Sequence, residues 1–193
     1  KVSDKLDTIG VFGRSVKDVA LLAKSLIRKD LYDASTIYFS SDRMLDVCEE
    51  KLEFDPKFIF YKTKNWKNIN KKSQEAFEFL IKSFKKNIEI YDEPSYFKDI
   101  PKYHQIIHEV DMANNFQIYY DKDKSKLSKE LNDAISRGLK YSAKDYSDAI
   151  DFMKQSYESY KEVFEDYYGI LTPSSNGVAA VSYTHLTLPT TLS

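Results

Sequence analysis

Two histidines four residues apart, His104 and His108, are followed by Glu109. On a helix both imidazoles face one side, a spacing that some hydrolases use to hold zinc. Those sites place a general-base Glu directly after the first His, and here Gln105 stands there. The third histidine, His185, lies in a compositionally foreign tail, so a third ligand is hard to find. The pair reads as two partly exposed helix residues, and no metal is expected. Cys48 has Asp46, Glu49 and Glu50 around it, and three acids oppose thiolate formation. An inert thiol is expected. One cysteine cannot close an intramolecular disulfide, which suits a reducing, cytoplasmic compartment. Gly10, Gly13, Gly138, Gly169 and Gly177 are too scattered to build a phosphate-cradling loop, so no nucleotide cofactor is expected. The 29 basic residues nearly cancel the 30 acidic ones, leaving a net charge of -1 and arguing against a nucleic-acid partner. No run of 18 apolar residues occurs, so no membrane span is expected.

Elements to position any site are plain in the periodicity. Ser15 with Asp18 three residues on resembles a capping box, and Val19, Leu22, Ala23, Leu26 and Ile27 follow at helical spacing. Residues 30–46 are polar and irregular, with a turn at Ser40–Asp42. Phe58–Lys62 and Ile88–Tyr91 read as strands flanking a helix marked by Ala76, Phe77, Leu80, Ile81 and Phe84. Strand, helix and strand within about 35 residues form a βαβ unit, which implies a parallel pair. The second half is helix-rich. Pro101 suits a first helical turn, and a shorter helix around Leu127–Ile135 is expected to stop at Gly138 as a left-handed terminator. Ser142 with Asp145 caps a long helix whose Tyr146, Tyr157, Tyr160 and Phe164 should pack a core, with its end at Gly169. Ile170–Thr172 is then a short strand stopped by Pro173. The fold class is α/β, with the three strands expected in one helix-covered sheet.

Residues 6–20 read Leu-Asp-Thr-Ile-Gly-Val-Phe-Gly-Arg-Ser-Val-Lys-Asp-Val-Ala. Gly10 and Gly13 permit a tight turn, Asp7 and Thr8 can satisfy loop amides, and Arg14 can anchor the loop electrostatically. The stretch resembles the end of the signature region of the amidase signature family, although Val11 stands where that family commonly has Pro. The likeness continues in order through Thr63-Lys-Asn-Trp66, the helix carrying Glu109, and Tyr167-Tyr-Gly-Ile-Leu-Thr-Pro-Ser174. It implies part of a mixed sheet covered by helices, with Thr172, Pro173, Ser174 and Glu109 beside a small-molecule amide substrate. It also implies a Ser–cisSer–Lys mechanism whose three residues lie upstream of the segment matching Asp7. No glycine-flanked serine pair occurs here, so none of the triad is in this chain. Residues 1–180 therefore read as the carboxy-side portion of an amidase domain, partnered by the amino-side half and homodimeric at full length.

Two other readings stand beside it. One is the A subunit of a glutamine-dependent tRNA amidotransferase, although residues 119–124 read Tyr-Tyr-Asp-Lys-Asp-Lys without the Arg that subunit typically carries. The other is a non-catalytic helical interaction module. Val181–Ser193 contains no charged residue in a chain that is 31% charged, and its first ten residues resemble a translated sequencing adapter. That tail is expected to be foreign to the fold.

Overall fold

A computed structural model describes residues 2–33 and 36–177. The tail set apart above lies outside the described residues. In chain order the elements are α1 (Val16–Leu26), α2 (Met44–Val47), β1 (Phe58–Lys62), α3 (Lys71–Ser83), β2 (Ile88–Asp92), α4 (Ile100–Lys122), α5 (Lys129–Gly138), α6 (Ala143–Asp166) and β3 (Gly169–Leu171). Single 3-10 turns occupy Lys64–Asn68, Ser95–Asp99 and Lys124–Lys126. The chain divides into two compact units. Of the described residues, those within 1–53 and 100–154 form the first, and those within 54–99 and 155–193 the second.

The first unit is helical. Ser15 caps α1 as its sequence suggests, its hydroxyl accepting the Asp18 N–H at 3.1 Å. Ile106 and Ile107 of α4 meet Ala149 of α6 in one cluster, with Leu6, Val110 and Met153 packed around them. A second cluster joins Ala113 and Tyr120 of α4 to Ile135 of α5. Gly138 does not terminate α5 in a left-handed conformation, since no described glycine has positive φ. It is needed for a different reason: a Cβ there would lie 2.1 Å from the Glu109 carbonyl oxygen. The glycine lets two helices touch backbone to backbone.

α6 opens on a reciprocal capping box. Ser142 Oγ accepts the Asp145 N–H at 3.1 Å, while Asp145 Oδ2 accepts the Ser142 N–H at 2.8 Å. The Ser142 hydroxyl also donates to that carboxylate, which holds Asp145 below the usual carboxylate range. A depressed folded-state pKa stabilises the fold above the unfolded carboxylate's titration, and the gain disappears as pH falls through the folded value. The thermal midpoint of Asp145→Asn should therefore sit below wild type at neutral pH. The gap should close on acidification, followed by melts between pH 7 and pH 2. A constant gap would remove the charge from the explanation.

The second unit is built on one sheet of order β2-β1-β3, parallel throughout. Phe58–Phe60 of β1 pair with Ile88–Ile90 on one side and with Gly169–Leu171 on the other. All three expected strands thus share a sheet, with Thr172 just past its end. Successive side chains point to opposite faces. Phe60 meets Trp66 and Phe77 of α3 on one face, at centroid distances of 5.3 and 5.5 Å. Tyr61 projects the other way and is buried, as are Ile59 and Ile88. Phe97 and Tyr160 stack at 4.2 Å and 8°, and burial pushes the Tyr160 phenol up to about 12. The aromatic stripe of α6 is only half used. Tyr157 and Phe164 are 63% and 53% exposed, because three strands offer too little surface to cover the whole stripe. The helix also ends three residues before Gly169, which belongs to β3 and packs its bare Cα on Phe58.

Candidate functional site

β1 and β3 are parallel, so their carboxyl ends emerge at the same edge of the sheet. In open α/β folds that edge is where ligands bind. From β1 the chain enters the Thr63–Trp66 turn, closed by the Trp66 N–H on the Thr63 carbonyl at 2.9 Å. From β3 it enters residues 172–177. The two exits are fastened together. Asn176 accepts from the Asn70 N–H at 2.6 Å through its carbonyl and from Asn65 Nδ2 at 2.7 Å through its side chain. Asn70 in turn caps α3 by accepting the Lys72 N–H at 2.9 Å. Ser175 Oγ donates to the Gly177 carbonyl at 2.7 Å, tightening the end of the loop.

Between strand and fastening lie Thr172, Pro173 and Ser174. Pro173 is half-buried, while Thr172 and Ser174 are exposed. Neither hydroxyl makes a hydrogen bond among the described residues, so both are free to meet a ligand. Asn176 carries no mark in the sequence, since its partners are more than 100 positions away.

The opening segment belongs to the first unit. Asp7 Oδ2 accepts the Val2 N–H at 2.7 Å, and the Asp7 N–H donates to the Ser3 carbonyl at 3.0 Å. Asp7 thus satisfies a loop amide, and Thr8 lines an open cavity of about 540 Å³ with Ser3, Asp7, Ile9 and Thr36. Two expectations for this loop fail. Arg14 is exposed and makes no ion pair or hydrogen bond among the described residues. Gly10 neither has positive φ nor meets any atom within 4 Å of an added Cβ. Gly13 is a glycine for crowding, with Asp18 Cβ 2.9 Å from where its own would be.

Glu109 is only 3% exposed. Its Oε1 accepts from Gln105 Nε2 at 2.9 Å and from Arg137 Nε at 2.8 Å, and the Arg137 guanidinium forms an ion pair with it. Oε2 is buried with no hydrogen-bond partner among the described residues. Burial, with this carboxylate beside it, raises the Tyr141 phenol above its ordinary value. Glu109 therefore sits inside the α4–α5 contact of the first unit, whereas Thr172–Ser174 belong to the second. His104 and His108 stack at 5.9 Å, one exposed and one half-buried. No three His, Cys, Asp or Glu side chains among the described residues are grouped to hold a metal ion. Cys48 is half-buried, its thiol donating to the Met44 carbonyl at 3.1 Å. Among the described residues no helix is long and apolar enough to cross a membrane.

The family model described as Amidase matches residues 1–187, running over the first seven residues of the uncharged tail. Solved structures share the fold at low identity. A crystal structure of an amidase aligns at TM-score 0.65 and 16% identity, over 91% of this chain and 37% of that one. A bacterial aryl acylamidase of the amidase signature enzymes aligns at 0.59 and 14%, over 80% and 34%. An inhibitor-bound structure of a vestigial protein complex, described as revealing the origins of an s-triazine catabolic enzyme, aligns at 0.67 and 12%, over 79% and 33%. The chain thus spans about a third of the length of these structures. No curated protein sequence matches it.

Proposed function

The chain belongs to the amidase family, and from that premise we propose that it is the carboxy-side part of an enzyme hydrolysing the carbon–nitrogen bond of a small carboxamide. Amide hydrolysis needs an activated nucleophile, a base and oxyanion donors acting as a unit. In this reading a serine, a cis-bonded bridging serine and a lysine supply them from the preceding part of the protein. The residues here contribute the wall of the substrate site and the frame that holds it. The observation that supports this is the loop after β3: Thr172 and Ser174 have unpaired hydroxyls at the carboxyl edge of the sheet, and Asn176 ties the loop down. Polar groups left open on a fixed loop can orient a carboxamide without losing an internal bond.

The same reading makes the isolated chain inactive. No serine here lies in a glycine-flanked turn that could both expose its hydroxyl and aim amides at an oxyanion. Purified chain should release neither ammonia from a panel of small carboxamides nor arylamine from a panel of arylamides. The full-length protein should hydrolyse at least one of them, and Ser174→Trp in that protein should raise KM about tenfold or more by filling the site. Unchanged kinetics in Ser174→Trp would refute the placement. Ammonia release by the chain alone, lost on changing one of its own serines, would refute the missing triad.

A further inference from the structure

Asp111 is a carboxylate 7% exposed, and no Lys or Arg pairs with it among the described residues. Two hydroxyls take its place. Ser3 Oγ donates to Oδ2 at 2.5 Å, and Tyr146 Oη donates to Oδ1 at 2.7 Å. Ser3 is fully buried, and its Oγ also accepts the Leu6 N–H at 3.2 Å. One helical turn beyond Asp111, on the same face of α4, Asn115 Nδ2 donates to the Val2 carbonyl at 3.1 Å. The Val2 N–H is held by Asp7. Val2 and Ser3 are therefore gripped through backbone and side chain by α4, α6 and their own loop. Burying a charge with only hydroxyl partners is expensive compared with an apolar contact of equal volume. Such an arrangement fixes one position where a greasy contact would accept several. Burial, followed by the Asp111 bond, pushes the Tyr146 phenol up to about 12, so it stays a donor across the neutral range.

We infer that Asp111 is a positioning residue: through Ser3 and Asn115 its helix sets the place and direction in which the chain enters at Val2. This rests on the proposed function, in which the segment before Val2 leads from the nucleophile and its base. The anchored segment also walls the open cavity beside Asp7 and Thr8, where a displaced entry would change the shape of the unit.

The test uses the full-length protein, following amide hydrogen exchange in the residues before Val2 together with kcat and KM on a small carboxamide. Ser3→Ala and Asp111→Asn should each speed exchange there and lower kcat by about tenfold, the size of one lost hydrogen bond to a charged acceptor. KM should stay within about twofold of wild type, because the substrate wall is untouched. The double variant should be no worse than the worse single, since both break one link. Leu131→Ala loosens the separate α4–α5 cluster, and at matched loss of thermal stability it should leave kcat and upstream exchange unchanged. Upstream exchange equal to wild type in the folded variants overturns the inference. So does an equal fall of kcat in Leu131→Ala, which would make the effect one of stability. If Asp111→Asn does not fold, Ser3→Ala, which removes the link and leaves the carboxylate with its Tyr146 donor, decides by the same criteria. A wild type that hydrolyses no amide defeats the functional reading, while the exchange comparison still decides the anchor.

Discussion

Gly138→Ala should destabilise the first unit by about 3 kcal/mol, at the upper end of overpacking costs. The sign is the informative part. In an ordinary helix interior the same change stabilises by about 1 kcal/mol, through propensity alone. Here the new methyl would lie 2.1 Å from the Glu109 carbonyl oxygen, 2.7 Å from its carbon and 2.9 Å from Ala113 Cβ. Two of those atoms are backbone, so no rotamer change relieves the clash. α4 and α5 must move apart, opening the cluster of Ala113, Tyr120 and Ile135 and stretching the bonds from Arg137 to Glu109. Thermal melts by circular dichroism should show a midpoint lower by about 10 °C or more. Gly10→Ala is the control, with open space around it and no special backbone angle, and should move the midpoint very little. A Gly138→Ala melt at or above wild type would mean that the helices are not in contact at this point.

Phe60→Ala should cost about 3–5 kcal/mol, the range for emptying a core aromatic site. Phe60 is fully buried on the central strand, and its ring touches Trp66 and Phe77. Neighbours on a strand hydrogen-bonded on both sides cannot collapse into the gap, which puts the loss near the top of that range. The chain's one tryptophan is Trp66, so its emission reports this unit selectively. Urea unfolding followed by that emission should show a midpoint lowered well outside error, with far-ultraviolet signal from the first unit changing less. A midpoint within error of wild type would contradict the packing described for β1.

Local signals in the sequence did most of the work for the fold. Ser15 and Ser142 cap helices within three residues of themselves, and alternation or helical spacing marks the strands and the helices around them. What escaped was non-local. Gly138 looks like a terminator until Glu109, 29 positions earlier, comes into view. Ser3 and Asp111 are 108 positions apart, and nothing in either neighbourhood announces a buried serine. The four-residue α2 lies in a polar stretch with too little periodicity to declare itself. For the candidate site, the strand before Thr172–Ser174 was legible and the fastening of that loop by Asn176 was not. Arg14 shows the opposite failure: its place in a motif suggested an anchor, and the described residues offer it no partner.

β1 is the middle strand, yet its two neighbours are very unequally distant along the chain. β2 begins 26 residues after Lys62, whereas 76 residues separate β2 from β3. During translation at about 5–20 residues per second, the ribosome needs several seconds to deliver β3 after β2 is complete. Throughout that interval the Phe58–Phe60 edge offers unpaired amides and carbonyls beside Ile59 and Phe60, in the geometry that recruits a foreign strand. A nascent chain paused within α4 or α5 should therefore be bound by chaperones more strongly than one paused beyond Leu171.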